Sequence, residues 1–245
     1  MDKFLLNQLD TVLRQVISNY DEMNINKSIL LIENFFITQL SSFYINSVRD
    51  RLYCEKQDSL ERRSAQTALF YVLSKSLVML GPIMPHLSEE AFHFSILKKM
   101  STTDDYSLFR SELNFQTDSK WANKPISDLF LILNQLRGVF FEIVQSDKMS
   151  VFEIKIKCSQ SLHDLLKPHV EAAWLTECFG CANIRLEATN EITELNRTIE
   201  IEGVEYSFAL EAEKSITSFA CQRCRRFTSA NENEICKRCF NVIKA

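Results

Sequence analysis

The stretch DSLERRSAQTALFYVLSKSLVMLGP, residues 58–82, decides the fold class. Its opening, Asp58-Ser59-Leu60-Glu61, is a capping signal: the Asp carboxylate can accept a backbone N–H while Glu61 reaches back to the helix start. Leu69, Val72, Leu73, Leu77 and Leu80 then recur at three- and four-residue spacing, which places them on one helical face, and Gly81-Pro82 ends the run. The stretch therefore predicts a long amphipathic helix with both ends marked.

The same period extends in both directions. Upstream, Leu5, Leu9, Val12, Leu13, Val16, Ile17 and Tyr20 predict a helix over 2–20, and Leu30, Phe36, Leu40, Phe43, Tyr44, Val48 and Leu52 predict a second over 27–52. Downstream, Ser88-Glu89-Glu90 is read as the cap of a fourth, carrying Ala91, Phe92 and Leu97. Four helices with short connections describe a bundle. With only four Gly and four Pro in 245 residues, the composition offers few helix breakers. Residues 98–126 are polar and aperiodic and read as a long connection around an anchor at Trp121, and a fifth helix is expected over 127–145.

The pattern then changes. Phe152, Ile154, Ile156 and Cys158 alternate with Glu153, Lys155 and Lys157, the period of a half-buried strand. A short helix over 162–176, a strand over 182–186, and two strands over 198–202 and 204–210 meeting at Glu202-Gly203 complete a small α/β module. The expected fold is mainly α: a helical bundle over 1–145, an α/β module over 146–215 and a zinc ribbon over 216–245.

The tail carries the most specific motif. Cys221-Gln-Arg-Cys224 and Cys236-Lys-Arg-Cys239 are two identical knuckles separated by eleven residues, and each knuckle aims two sulfurs at one ion. Four thiolates leave no open coordination position, so the expected Zn²⁺ is structural and folds the tail. A redox role is not expected, since no βαβ pattern surrounds either pair. A third pair, Cys178-Phe-Gly-Cys181, ends an amphipathic helix and is read as buried structural thiols. Paired cysteines without a secretory signal imply a reducing compartment, either cytosol-like or an organelle matrix.

Charge is divided unevenly. The whole chain is at -4, but residues 221–245 hold six basic side chains against two acidic ones, a net +4 that leaves -8 on the remainder. A polyanion should prefer the tail. No apolar run escapes interruption by Lys, Glu, Asp or Asn, so no membrane span or membrane partner is expected. No phosphate-binding loop or nucleophile signature occurs, so no catalytic residue is assigned.

On these residues the chain resembles the C-terminal part of bacterial-type isoleucine-tRNA ligases, the mitochondrial form above all. Leu40-Ser-Ser-Phe-Tyr44 with Arg49-Asp-Arg-Leu-Tyr53 is similar to that family's anticodon-binding bundle. Arg62-Arg-Ser-Ala-Gln-Thr67 and Gly81-Pro-Ile-Met-Pro-His-Leu-Ser-Glu-Glu90 are similar to its next helix and Pro-bounded exit, and the doubled Cys-x-Arg-Cys to its zinc finger. Bacterial members often carry Trp directly after the second zinc cysteine; Arg225 stands there, so any stacking role either shifts to Phe227 or vanishes.

The resemblance implies a tRNA-binding segment for isoleucine tRNA, with the ATP-using catalytic domain expected before Met1 and no activity in this chain alone. A monomer is expected, in the mitochondrial matrix or, alternatively, the cytoplasm. RNA recognition splays bases onto aromatic or Arg planes while cations hold phosphates. The candidate contacts are accordingly Arg49, Arg51 and Tyr53 on the bundle, and Arg223, Arg225, Arg226, Lys237 and Arg238 on the tail. Arg49 and Arg51 have a competing assignment, which is to pair with Asp50 and neighbouring carboxylates. The competing function is a stand-alone zinc-ribbon adaptor that binds a protein or DNA.

Overall fold

A computed structural model describes residues 1–100, 107–110, 121–145, 148–171, 174–189, 197–216 and 218–244. The chain folds into two compact units: Asp2–Asn46 with Leu60–Ile126, and Ser47–Ser59 with Ser127–Ala245, to which Met1 also belongs.

The first unit is helical. Helix α1 (Asp2–Asp21) packs against α2 (Ile25–Asn34) and α4 (Leu60–Leu80). Its stripe buries Leu5, Leu9, Leu13 and Val16, each at most 3% exposed, as the heptad-like spacing requires. Each such burial is worth about 1.5–3 kcal/mol. Tyr44 donates its hydroxyl to Asp2 Oδ1 at 2.9 Å and Tyr20 donates to the Met79 carbonyl at 2.6 Å, so the buried Tyr44 and the half-buried Tyr20 both satisfy their polar ends.

Helix α2, a π-helical segment (Phe35–Ile45) and α3 (Asn46–Cys54) run without a break along the chain. This region departs from the sequence expectation. Phe35, not Phe36, is fully buried, and Leu30 is 64% exposed. Wider π turns carry residues about five apart onto one face, so Phe35 and Leu40 point inward together. A second departure concerns length and polarity, because the run Ile25–Cys54 is by those criteria sufficient to cross a membrane. The polar residues in it are too few to fail that test, yet Ile32, Phe35, Leu40, Phe43 and Tyr44 are buried within this fold.

Helix α4 ends at Leu80, where the Gly81 N–H donates to the Leu77 carbonyl at 2.9 Å. A Cβ at Gly81 would meet the Phe109 ring at 3.2 Å and that carbonyl at 3.3 Å, so a side chain there would push its neighbours by a few tenths of an ångström. Helix α5 (Pro85–Phe94) starts with Pro85, three residues before the expected Ser88 cap. Proline wins because its missing N–H costs nothing in a first turn. Glu89 instead accepts the Leu108 N–H at 2.8 Å, closing a cluster of Leu77, Phe92, Leu97 and Leu108.

The expected connection over 98–126 lies largely outside the described residues. Its described ends are helical, in α6 (Ile96–Met100), a 3-10 turn (Leu108–Arg110) and the start of α7 (Lys124–Val144). Trp121 does anchor the chain: its carbonyl accepts from Asn7 Nδ2 at 2.9 Å and its ring meets Tyr71 edge-on at 5.4 Å.

The second unit holds α3, most of α7, and a four-stranded sheet in the order β2-β1-β4-β3. Strand β1 (Phe152–Cys158) buries Ile154, Ile156 and Cys158 on one face, as its alternation predicts. Helices α8 (Gln160–Glu171) and α9 (Trp174–Phe179) cross to β2 (Asn183–Ala188), which runs parallel to β1. Strands β3 (Arg197–Ile201) and β4 (Val204–Lys214) form an antiparallel hairpin. Glu202 and Gly203 turn it with φ of 52° and 79°, the two left-handed positions of a type I′ turn. The tail adds β5 (Phe219–Ala220), β6 (Phe227–Ser229) and α10 (Lys237–Lys244).

Candidate metal centre and nucleic-acid interface

The first knuckle is a backbone loop closed on itself. The Cys221 N–H donates to the Arg226 carbonyl at 2.8 Å and the Arg225 N–H to the Cys221 carbonyl at 2.9 Å, with Arg225 itself at φ 62°. The second knuckle opens α10, where the Phe240 N–H donates to the Cys236 carbonyl at 3.0 Å. Two contacts join them: the Gln222 N–H donates to the Glu234 carbonyl at 3.2 Å, and the Cys236 N–H donates to Cys221 Sγ at 3.2 Å.

Cys221, Cys224, Cys236 and Cys239 thereby place all four Sγ atoms within 4.8 Å of one another, and Cys224 and Cys236 are 3.9 Å apart. A tetrahedral ion with bonds of about 2.3 Å needs sulfurs roughly 3.8 Å apart, so the donor set fits such an ion. The thiol chemistry agrees. Burial opposes ionisation of Cys221, but N–H donors from Cys236, Cys224 and Arg223 outweigh it and bring the thiol down to about 6. Cys236 is also lowered against its burial by donors that include the Cys239 amide. Burial raises Cys224, and burial with crowding by neighbouring thiols pushes Cys239 up to about 12. Four packed thiols cannot all ionise alone, and a divalent cation removes that repulsion.

The remaining cysteines differ in kind. Burial pushes Cys158 up to about 11 and Cys178 and Cys181 up to about 12, which makes them neutral packing thiols. Cys54 is different, because it is buried among Cys221, Cys236 and Cys239. It had no sequence partner at ligand spacing, and only the fold brings it to the four-thiol cluster.

The candidate contact residues fall into two groups. Arg226 reaches Asp50 at 3.2 Å, Glu177 at 3.5 Å and Thr176 at 3.3 Å. Arg238 reaches Asp50 at 2.9 Å and Glu55 at 3.0 Å, and Arg223 donates to the Cys54 carbonyl at 2.7 Å. Although burial works against its charge, Arg238 is held more firmly protonated than usual by Asp50 and Glu55. Arg51 pairs with Glu177. Asp50, only 8% exposed, thus receives two tail arginines from positions 176 and 188 residues away. The competing assignment for Arg49 and Arg51 was pairing with Asp50 and neighbouring carboxylates; Arg51 does hold a carboxylate, that of Glu177, and Asp50 also receives the two tail arginines.

The second group faces solvent. Arg49, Tyr53, Arg225 and Lys237 are exposed, Tyr53 by 76%, and Arg225 makes a 3.4 Å contact with Gln222. Asp50, Glu55 and Glu177 carry the network and were not singled out as site residues from sequence. The one local signal was an Asp between two arginines in Arg49-Asp-Arg51, which does not reveal a partner so far along the chain.

Comparison with known proteins gives this arrangement its relatives. A family model described as the anticodon-binding domain of tRNA ligase matches residues 2–166. An isoleucine-tRNA ligase of Natranaerobius thermophilus is 28% identical, with 100% of this chain and 26% of that protein covered. The isoleucine-tRNA ligase of Mesoplasma florum is 29% identical over 100% of the chain and 26% of its own length. A mitochondrial isoleucine-tRNA ligase of Macaca fascicularis is 26% identical over 99% of the chain and 26% of its length. The chain spans about a quarter of the length of the curated relatives it matches.

Proposed function

The chain belongs to the family of anticodon-binding domains of tRNA ligases, and on that footing we propose that it is the tRNA-binding part of an isoleucine-tRNA ligase. The observation that carries this reading is the likeness to isoleucine-tRNA ligases along the entire chain, through the four-cysteine tail as well as the bundle. The role is recognition of the isoleucine anticodon. Adenylate formation from ATP and transfer to tRNA belong to a catalytic domain of the whole enzyme, and this chain contributes no reacting group.

Cys221, Cys224, Cys236 and Cys239 would hold a structural Zn²⁺, which supplies cross-linking of the two knuckles and no Lewis-acid chemistry. Arg226, Arg238 and Arg223 orient the tail through Asp50, Glu55 and the Cys54 carbonyl. The solvent-facing Arg225, Lys237, Arg49 and Tyr53 then offer the most exposed tRNA contacts, while Arg51, Arg223, Arg226 and Arg238 contribute long-range attraction to the phosphates. The proposed protein is a monomer in the mitochondrial matrix, with the cytoplasm as the alternative compartment.

A low-salt titration of the zinc-loaded chain against isoleucine tRNA and other tRNAs tests the reading. Preference for isoleucine tRNA supports it, and equal affinity for every tRNA refutes the specific form. A tight protein partner together with indifference to RNA would favour the zinc-ribbon adaptor.

A further inference from the structure

Beside the metal centre, inside the second unit, lies a cavity of about 400 Å³ whose lining includes Val170, Ala182, Asn183, Arg226, Lys237 and Arg238. One side carries Arg226, Lys237 and Arg238, together with Glu177, whose carboxylate is held by Arg51 and Arg226, and Cys236 of the four-thiol cluster. Lys237 and Arg238 occupy the first turn of α10, the end of a helix where the peptide dipole favours anions and disfavours cations. Arg238 is answered there by Asp50 and Glu55. Lys237 is exposed, and among the described residues no carboxylate pairs with it. Its charge is therefore misplaced for stability and available to an incoming anion. Arg226, whose guanidinium is fixed by Asp50 and Glu177, stands beside it already oriented.

The other side is suited to a base. Val170 and Ala182 supply apolar surface. Asn183 Oδ1 accepts the Ile184 N–H at 2.9 Å, which orients the carboxamide and leaves Nδ2 as a donor with no partner among the described residues. A cavity of this size falls within the range that encloses a small ligand. A fixed donor selects for an oxygen on the base edge, which uracil, cytosine and guanine carry and adenine lacks.

We propose that this cavity receives one unstacked nucleotide of a single-stranded RNA segment, its phosphate held by Lys237 and Arg226 and its base oxygen by Asn183 Nδ2. The inference rests on the tRNA-binding reading and deepens it by naming the pocket and the class of base.

The test uses the full zinc-loaded chain and fluorescein-labelled ten-nucleotide oligouridylate and oligoadenylate, followed by anisotropy across a salt series. Oligouridylate should bind about 5- to 10-fold more tightly, the scale of one hydrogen bond to a base. Asn183→Ala should bring the two oligonucleotides to parity without altering the salt slope. Lys237→Ala should weaken both about equally and reduce the slope by about 0.7, the loss of one phosphate contact on a single strand. Both side chains are exposed, so the fold is retained, and zinc content checks this directly. Parity in the unaltered chain, or variants indistinguishable from it, would overturn the proposal. A parallel titration with isoleucine tRNA separates the two levels: tRNA binding unchanged by both variants sinks the pocket alone, whereas no tRNA binding by the unaltered chain sinks both.

Discussion

Replacing Asp50 with Asn isolates what docks the tail. The side chain keeps its shape and loses its charge, so Arg226 and Arg238 each lose one carboxylate while retaining Glu177 and Glu55 respectively. Removing one member of a buried ion pair costs about 3–5 kcal/mol when the remaining charge is left alone. Here the two arginines keep second partners and are 23% and 34% exposed, so solvent and the remaining carboxylates screen part of the loss. The expected cost is about 2–3 kcal/mol. Because the knuckles hold both arginines, this cost appears as weaker metal binding, and about 2.8 kcal/mol corresponds to roughly 100-fold in apparent zinc affinity. Competition with a chromophoric chelator measures it. A second substitution, Arg238→Gln, should be strongly non-additive with the first, since both remove the same contact. Zinc affinity within threefold of the unaltered chain, or strict additivity of the two changes, would refute the reasoning.

Cys239→Ser should abolish tight zinc binding and leave 216–245 without protected amides in hydrogen exchange, because metal binding of about 10–16 kcal/mol is what folds so small a tail. Leu13→Ala should cost about 2–5 kcal/mol in urea unfolding, since Leu13 is 1% exposed and touches the centre of the bundle. Cys178 and Cys181 are raised from 9.0 to about 12 by burial, so they stabilise the fold fully below about pH 9. That contribution is lost as pH rises through 12, and alkylation at pH 8 should leave both unmodified in the native chain; rapid labelling would contradict their burial.

The bundle was legible where burial follows a simple period. The spacing of Leu5, Leu9, Leu13 and Val16 sets the inward face of α1, and the alternation of Ile154, Ile156 and Cys158 sets that of β1. Glu202-Gly203 announced its turn because few residue pairs accept two left-handed conformations in succession. Phe35 was misassigned because a π turn moves the inward face by a residue, and no propensity marks that in advance. Ser88-Glu89 imitated a helix cap, but Pro85 had already begun the helix and Glu89 bonded to Leu108. The gathering of four thiols was legible because knuckle spacing is itself geometry. The ion pairs of Asp50 and the position of Cys54 were not, because both depend on the tail meeting a helix 169 to 188 residues earlier in the chain.

The measurement closest to the central claim is an anisotropy titration of labelled isoleucine tRNA, at low salt, against the zinc-loaded chain and the same chain stripped of metal. Binding should weaken steeply with salt, favour isoleucine tRNA over a methionine tRNA, and fall at least tenfold when zinc is removed. Equal affinity for the two tRNAs, or binding indifferent to the metal, would contradict that claim.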